Sequence, residues 1–322
     1  MWHGALAVFR FEVRRTLTPS RCAVWMMLML FPVFIVSVMK YYEDAIQRDM
    51  EPRDESQVYI QIHEGQGGRP GQAVRIDLSK PGQWNVRDVP PAKEMQTVES
   101  PTGETQAEPE PKPMTYAWGA VFFGLIPEVI TLFGLLLWVP PLVHAELEGR
   151  TWIYLAVRPR GRVSVLLGKY MTAVAWTTLA GWTSATVCVL IARPENGLRL
   201  WCTTVALVAI SSISYGAIYG LFGVWLHRRA MVLAVAYTLI FELLVSLIPA
   251  VINKFTVQYR LRGLFVTWMD WRRLMPEEAK ELFLGNEPAW LHLTILAFGV
   301  VVVMSVAVQL IQRKEYATAS DN

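Results

Sequence analysis

Charged residues are scarce in this chain. Of its 322 residues only 18% are Asp, Glu, Lys or Arg, where soluble domains carry about 25%. A soluble enzyme, a fibrous protein and a mostly disordered one are excluded on that ground, because 53% of the residues are hydrophobic. Cysteine is also rare: Cys22, Cys188 and Cys202 fall in or beside apolar runs. None lies in the polar segment 43–115, so a disulfide-stapled ectodomain is excluded. The five histidines are scattered, and no His/Cys/Asp/Glu spacing forms a metal-binding pattern. His63-Glu64 has no second histidine four residues on.

Glycine-rich phosphate loops are missing as well. Gly161 to Gly168, followed by Lys169 and Tyr170, has six residues between its glycines and no Ser or Thr after the lysine, so it fails as a nucleotide cradle. No Ser-His-Asp set stands out. No cofactor is therefore expected on this chain, which is not read as an enzyme, and nucleic acid is not expected as a partner.

Long apolar runs are present instead. A bilayer crossing needs about 20 apolar residues, and six stretches qualify: 22–40, 117–143, 167–192, 200–225, 230–252 and 289–311. The predicted fold class is an all-α polytopic membrane protein. It has six transmembrane helices, an N-terminal interfacial helix over 1–21 and a small extracytoplasmic insertion over 43–115. That insertion holds β-prone runs at Val58–Ile62 and Val74–Leu78, separated by turn residues. Trp2, Ala5, Leu6, Phe9, Val13 and Leu17 give the leading helix an apolar face, with Arg10, Arg14 and Arg15 off it.

Charge sets the orientation. With both termini cytoplasmic, including a tail over 312–322, the inner side carries 13 basic and five acidic residues, while 43–115 carries eight basic and 14 acidic. Short basic loops stay inside. An inner, plasma-membrane location follows as the expectation. The loop 253–288, with Trp268, Trp271 and several leucines, suggests short helices resting on or dipping into the outer interface.

Two carboxylates fall inside spans, Glu128 after Pro127 and Glu242 in the fifth. A charge there costs about 3 kcal/mol by insertion scales, and no Lys or Arg lies in any span core. They are expected to be protonated, or hydrogen-bonded to groups such as Ser211, Ser212 or Tyr215, or lining a translocation path. Ser212, Gly216 and Gly220 share one face of the fourth span at a spacing that permits close helix contact.

The most informative stretch is the cytoplasmic loop 144–169 between the second and third spans. It reads His144-Ala-Glu146-Leu-Glu148-Gly149-Arg150-Thr151-Trp152, then Leu155-Ala-Val-Arg158-Pro159, then Arg162, and closes in Leu167-Gly168-Lys169. Glu146 and Glu148 are expected near a helix start, where the dipole favours carboxylates, with Pro159 as the stop. This pattern resembles the permeases of ABC-2-type exporters. Their membrane subunits show an acidic pair before a Gly/Thr turn, a leucine-rich helix, a Pro-x-x-Arg step and a Gly-Lys entering a span.

The resemblance extends to six spans, an amphipathic leading helix and a helical outer loop before the last span; the insertion 43–115 is larger than in the simplest members. It implies a permease that forms homodimers or heterodimers and pairs with two separate ATPase subunits, which would hold ATP and Mg. Glu146, Glu148, Gly149, Arg150, Thr151, Arg158, Pro159 and Arg162 would couple to that partner. Membrane lipid is the other expected partner. The competing reading is a multi-span anchor or sensor whose 43–115 module binds something outside; an intramembrane enzyme using Glu128 and Glu242 lacks a recognisable nucleophile or metal.

Overall fold

In the computed structural model the described residues are 2–16, 18–50, 57–61, 73–77, 113–148, 161–245, 251–271 and 287–314. Ten α-helices fall among them. They are α1 (Trp2–Thr16), α2 (Pro19–Met50), α3 (Pro113–Phe123), α4 (Thr131–Trp138) and α5 (Leu142–Glu148), followed by α6 (Gly161–Ala192), α7 (Gly197–Trp225), α8 (Ala230–Tyr237), α9 (Val257–Met269) and α10 (Ala289–Arg313). Two π-helical stretches join neighbours: Gly124–Ile130 links α3 to α4, and Thr238–Val245 continues α8. The chain divides into two units, 1–40 with 112–322, and 41–111. In the second, strands β1 (Gln57–Gln61) and β2 (Ala73–Asp77) pair antiparallel, with Val58 opposite Ile76 and Ile60 opposite Val74.

Among the described residues five helical stretches are long and apolar enough to cross a membrane: Pro19–Ile46, Trp118–Glu148, Gly161–Ala192, Gly197–Trp225 and Ala289–Arg313. The chain is thus an all-α polytopic membrane protein. Of the expected fifth span, 230–252, the described part is an apolar helix over Ala230–Glu242 with a π-helical continuation to Val245, and residues 246–250 lie outside the described residues. The first helix, in contrast, outruns its apolar stretch and continues to Met50. Glu43, Asp44 and Arg48 end the hydrophobic run without ending the helix, because neither charge nor polarity breaks the backbone ladder.

α7 is the most buried of the five long helices and α2 the least. The reason is compositional. Small residues on α6 and α7 let the two backbones approach: a Cβ on Gly181 would lie 2.5 Å from the Val208 side chain, and one on Gly216 would lie 3.0 Å from the Tyr170 ring. Gly216 therefore packs within this chain. Gly220 has only an ordinary contact, 3.9 Å to Val139, whereas Gly223 abuts the Pro140 carbonyl at 2.9 Å.

The helix inside the loop 253–288 is buried rather than laid on a surface. α9 packs on α7 and α10 with Leu261, Leu264, Phe265 and Val266 all buried, and Trp271 beyond it wedges against Gly119. At its far end the Trp268 carbonyl accepts from Arg199 Nε at 2.8 Å, beside the start of α7. α8 begins at the opposite end, after the turn that follows α7. Together α8, its π-helical extension and α9 reach from one end of α7 to the other.

The leading helix docks on α6 by an edge that takes in Ala5 of its apolar face and leaves Leu6 exposed. Gly4 meets Ser164, and a Cβ on Gly168 would lie 2.6 Å from Val8 and 3.0 Å from the Ala5 carbonyl. Replacing Gly168 with valine is expected to lift α1 from α6 and to destabilise by about 1–3 kcal/mol, the usual cost of overpacking. Hydrogen exchange across 2–16 checks this: faster exchange there with the other helices unchanged is the expected result.

Candidate functional site

Two polar junctions carry the candidate residues. The first surrounds Glu242. Burying a helix N-terminus away from water leaves up to four N–H groups without partners, and α9 begins inside the bundle. Glu242 resolves this. Its Oε1 accepts the Val257 N–H at 3.3 Å and the Tyr237 hydroxyl at 2.7 Å. Its Oε2 accepts the Gln258 N–H at 3.0 Å and the Tyr215 hydroxyl at 2.9 Å. Thr256, the N-cap, accepts the Tyr259 N–H at 3.2 Å. Three exposed amides are thereby satisfied, and the carboxylate lies against the positive end of the helix dipole.

Glu128 joins the same junction through Gln258, whose Nε2 donates to Oε1 at 2.7 Å. One residue of α9 thus touches both intramembrane carboxylates, by its backbone and by its side chain. Both carboxylates sit in π-helical stretches, a geometry that recurs at functional sites. The widened turn has a direct effect. Tyr237 and Glu242 are five residues apart, about 140° around an α-helix at 3.6 residues per turn, yet the π-helical turn brings them to hydrogen-bonding distance. Ser211 donates to the Pro127 carbonyl at 2.8 Å, within the π-helical stretch that holds Glu128.

These contacts revise the sequence expectation. Of the three residues anticipated as partners, Tyr215 binds Glu242, Ser211 binds backbone, and the buried Ser212 hydroxyl has no hydrogen-bond partner among the described residues. Four donors, two amides and two phenols, face the two carboxylate oxygens of Glu242. Basic groups are also nearer than the spans suggested: Arg262, on α9, lies within electrostatic reach of Glu128. The sequence places this arginine in a loop, and only the insertion of α9 brings it inward.

The second junction joins the two ends of the loop 144–169. Glu146 and Glu148 stand on α5, whose described part ends at Glu148. The buried Glu146 is met by groups from beyond the loop. Lys169, in the first turns of α6, reaches the buried Glu146 at 2.5 Å and donates to the Leu142 carbonyl at 3.2 Å. Glu12 of α1 lies 3.9 Å from Lys169, and Arg15 lies 3.8 Å from both Glu12 and Glu146. Glu148 is exposed and pairs with His144 at 3.1 Å. Gly149, Arg150, Thr151, Arg158 and Pro159 lie outside the described residues.

Beside this junction the helix ends are capped by cations. Arg162 donates to the Gln312 carbonyl at 3.5 Å and the Lys314 carbonyl at 3.3 Å, the expected place for a cation at a helix C-terminus. Lys314 in turn donates to the Trp225 carbonyl. Lys169 is the functional candidate that residue patterns alone undervalued. Its signal was a lysine one or two turns inside an apolar run, a placement that calls for an acidic partner. Among the described residues no group of three His, Cys, Asp or Glu is placed to hold a metal ion.

Two outcomes follow. Glu242→Ala strands four donors and is expected to cost about 3 kcal/mol or more, while Tyr215→Phe removes one bond to a charged group and costs about 1.5–3 kcal/mol. Thermal unfolding in detergent should rank them in that order, and an undiminished midpoint for Glu242→Ala would remove it from this role. The second concerns His227, in the turn before α8. Burial, then the positive charges of Lys314, Arg228 and His144, hold its pKa below the usual value, about 6.5. Protonation is then harder in the folded state than in the unfolded one, so stability is full above about pH 6.5 and falls as the pH drops below it. His227→Gln should flatten that acid limb in melting curves between pH 7.5 and 5.

Comparison with known protein families, curated proteins and solved structures finds no match.

Proposed function

We propose that this chain is the permease subunit of an ABC exporter. It forms a translocation path and couples to separate ATPase subunits through the loop 144–169. In this reading it crosses the inner membrane six times, with both termini cytoplasmic. The fifth crossing is discontinuous, built from α8 with its π-helical extension and then α9. Discontinuous helices are tolerated at membrane depth where their free backbone groups are satisfied by protein, as Glu242 and Thr256 do here.

The observation that carries the proposal is the Glu146–Lys169 pair, 2.5 Å apart and nearly shielded from solvent. It pins the two ends of the loop to each other, and Glu12 and Arg15 extend the junction to α1. A push on the loop from the cytoplasmic side would reach the second span, the third span and the leading helix together. A loop that merely met lipid phosphates would need only its basic residues, whereas here Lys169 is turned inward to a carboxylate. Glu148, exposed beside the junction, and Arg158 are assigned to the partner. Glu128, Gln258 and the tyrosines around Glu242 are assigned to the wall of the path, and nucleotide and Mg to the ATPase.

Affinity purification of the tagged chain from its native membrane in mild detergent, with mass spectrometry, tests this. A stoichiometric partner carrying a phosphate loop, released by Glu148→Ala combined with Arg158→Ala, is the expected outcome. Repeated recovery of outer-side proteins with no ATPase would instead favour an anchor or sensor working through 43–115.

A further inference from the structure

The docking of α1 sorts its charges. Glu12 is the one acidic residue among the first 42, which also hold Arg10, Arg14, Arg15, Arg21 and Lys40. Its carboxylate faces Lys169 and Arg15 at the second junction. The edge formed by Gly4, Ala5 and Val8 is occupied by Ser164 and Gly168 of α6, which fixes the rotation of the helix about its axis. What remains outward is free of acid. Leu6, Arg10 and Arg14 stand one turn apart on a single ridge, because residues four apart share a helix face, and all three are exposed. Phe11 is 63% exposed on the other flank of the arginines, about 60° round the helix from Arg14.

The height of the ridge is set by the same contacts. α1 meets α6 at Ser164 and Gly168, in the first two turns of a membrane-crossing helix. Close by in sequence, Arg21 stacks on the Trp138 ring with 5.2 Å to its centroid, and tryptophan and arginine together mark the headgroup level. Arginines there, next to bare leucine and phenylalanine, match a surface that is anionic above and hydrocarbon below. A soluble anionic partner would satisfy the arginines and leave Leu6 and Phe11 in water.

We propose that the outward ridge of α1 is a docking surface for anionic phospholipid headgroups, with Arg10 and Arg14 holding lipid phosphates and the exposed Leu6 and Phe11 flanking them on either side against the acyl chains. This surface does not rest on the exporter reading, and no ATPase enters its test. The purified full chain is titrated in detergent with phosphatidylglycerol or phosphatidylcholine, and retained lipid is counted by native mass spectrometry. The wild-type chain is expected to prefer the anionic lipid. Arg10→Gln with Arg14→Gln should weaken phosphatidylglycerol binding about 30-fold, at about 1 kcal/mol per basic residue near a membrane surface, and leave phosphatidylcholine binding unchanged. Arg10→Lys with Arg14→Lys keeps the charge and should keep most of the preference. An unchanged preference in the glutamine pair overturns the proposal, as does an equal loss in the lysine pair, which would trace the effect to packing. Displacement of the lipid by millimolar inorganic phosphate also overturns it, since the surface would then be a site for small soluble anions.

Discussion

A helix that begins inside a membrane bundle must find acceptors for its first amides, and in this chain one carboxylate supplies most of them. Glu242 takes two N–H groups from α9 and a hydroxyl from each of two tyrosines. Without those bonds each stranded group would cost several kcal/mol in the absence of water. α9 could then not lie where it does, against α7 and α10, and neither Gln258 nor Arg262 would come near Glu128. The burial of Phe265 and Trp271 against the start of the second long helix depends on the same placement. The polar arrangement near mid-bundle is thus a condition of the apolar packing around it.

The two junctions share a chemical logic. Each buries a carboxylate, Glu242 among apolar helices and Glu146 where α5 meets α6 and α1, and each compensates with groups distant in sequence. Such pairings are expensive to break and contribute little net stability against an apolar replacement. What they provide is position. Lys169 can satisfy Glu146 only when α5, α6 and α1 converge, and Gln258 can meet both carboxylates only in one register of α9. Above and below these points the contacts are glycine against side chain, as at Gly168, Gly181 and Gly216, and the spacing of the helices follows from the absent Cβ atoms.

Much of the architecture was legible in the residues, and the failures have physical causes. The long apolar runs located five helices because a 20-residue hydrophobic stretch has few other fates. Within the run 230–252, hydropathy reports the environment of side chains, not the pattern of backbone hydrogen bonds, so the π-helical stretch Thr238–Val245 was not announced. α9 was hidden for the same reason: Arg260 and Arg262 make its sequence look like an outer loop, although Arg260 is buried in an ion pair with Glu287. Glu146, Arg162, Glu128, Glu242 and Tyr215 were visible as candidates because charges and hydroxyls beside apolar runs demand partners. Lys169 was quoted only as the lysine entering a span, and Gln258 and Tyr237 not at all, since their roles depend on contacts across 23 residues, across 130 residues, and on a π-helical turn that no local pattern announces.

The shell around Glu242 also has a direction in time. Every group that holds this carboxylate or Glu128 and precedes residue 242 is already synthesised when Glu242 emerges: Tyr215 on α7 and Tyr237 in the same helical run. The α9 amides and the Gln258 side chain come later. The N-terminus of α9 therefore meets a carboxylate and two phenols that all precede it in the chain.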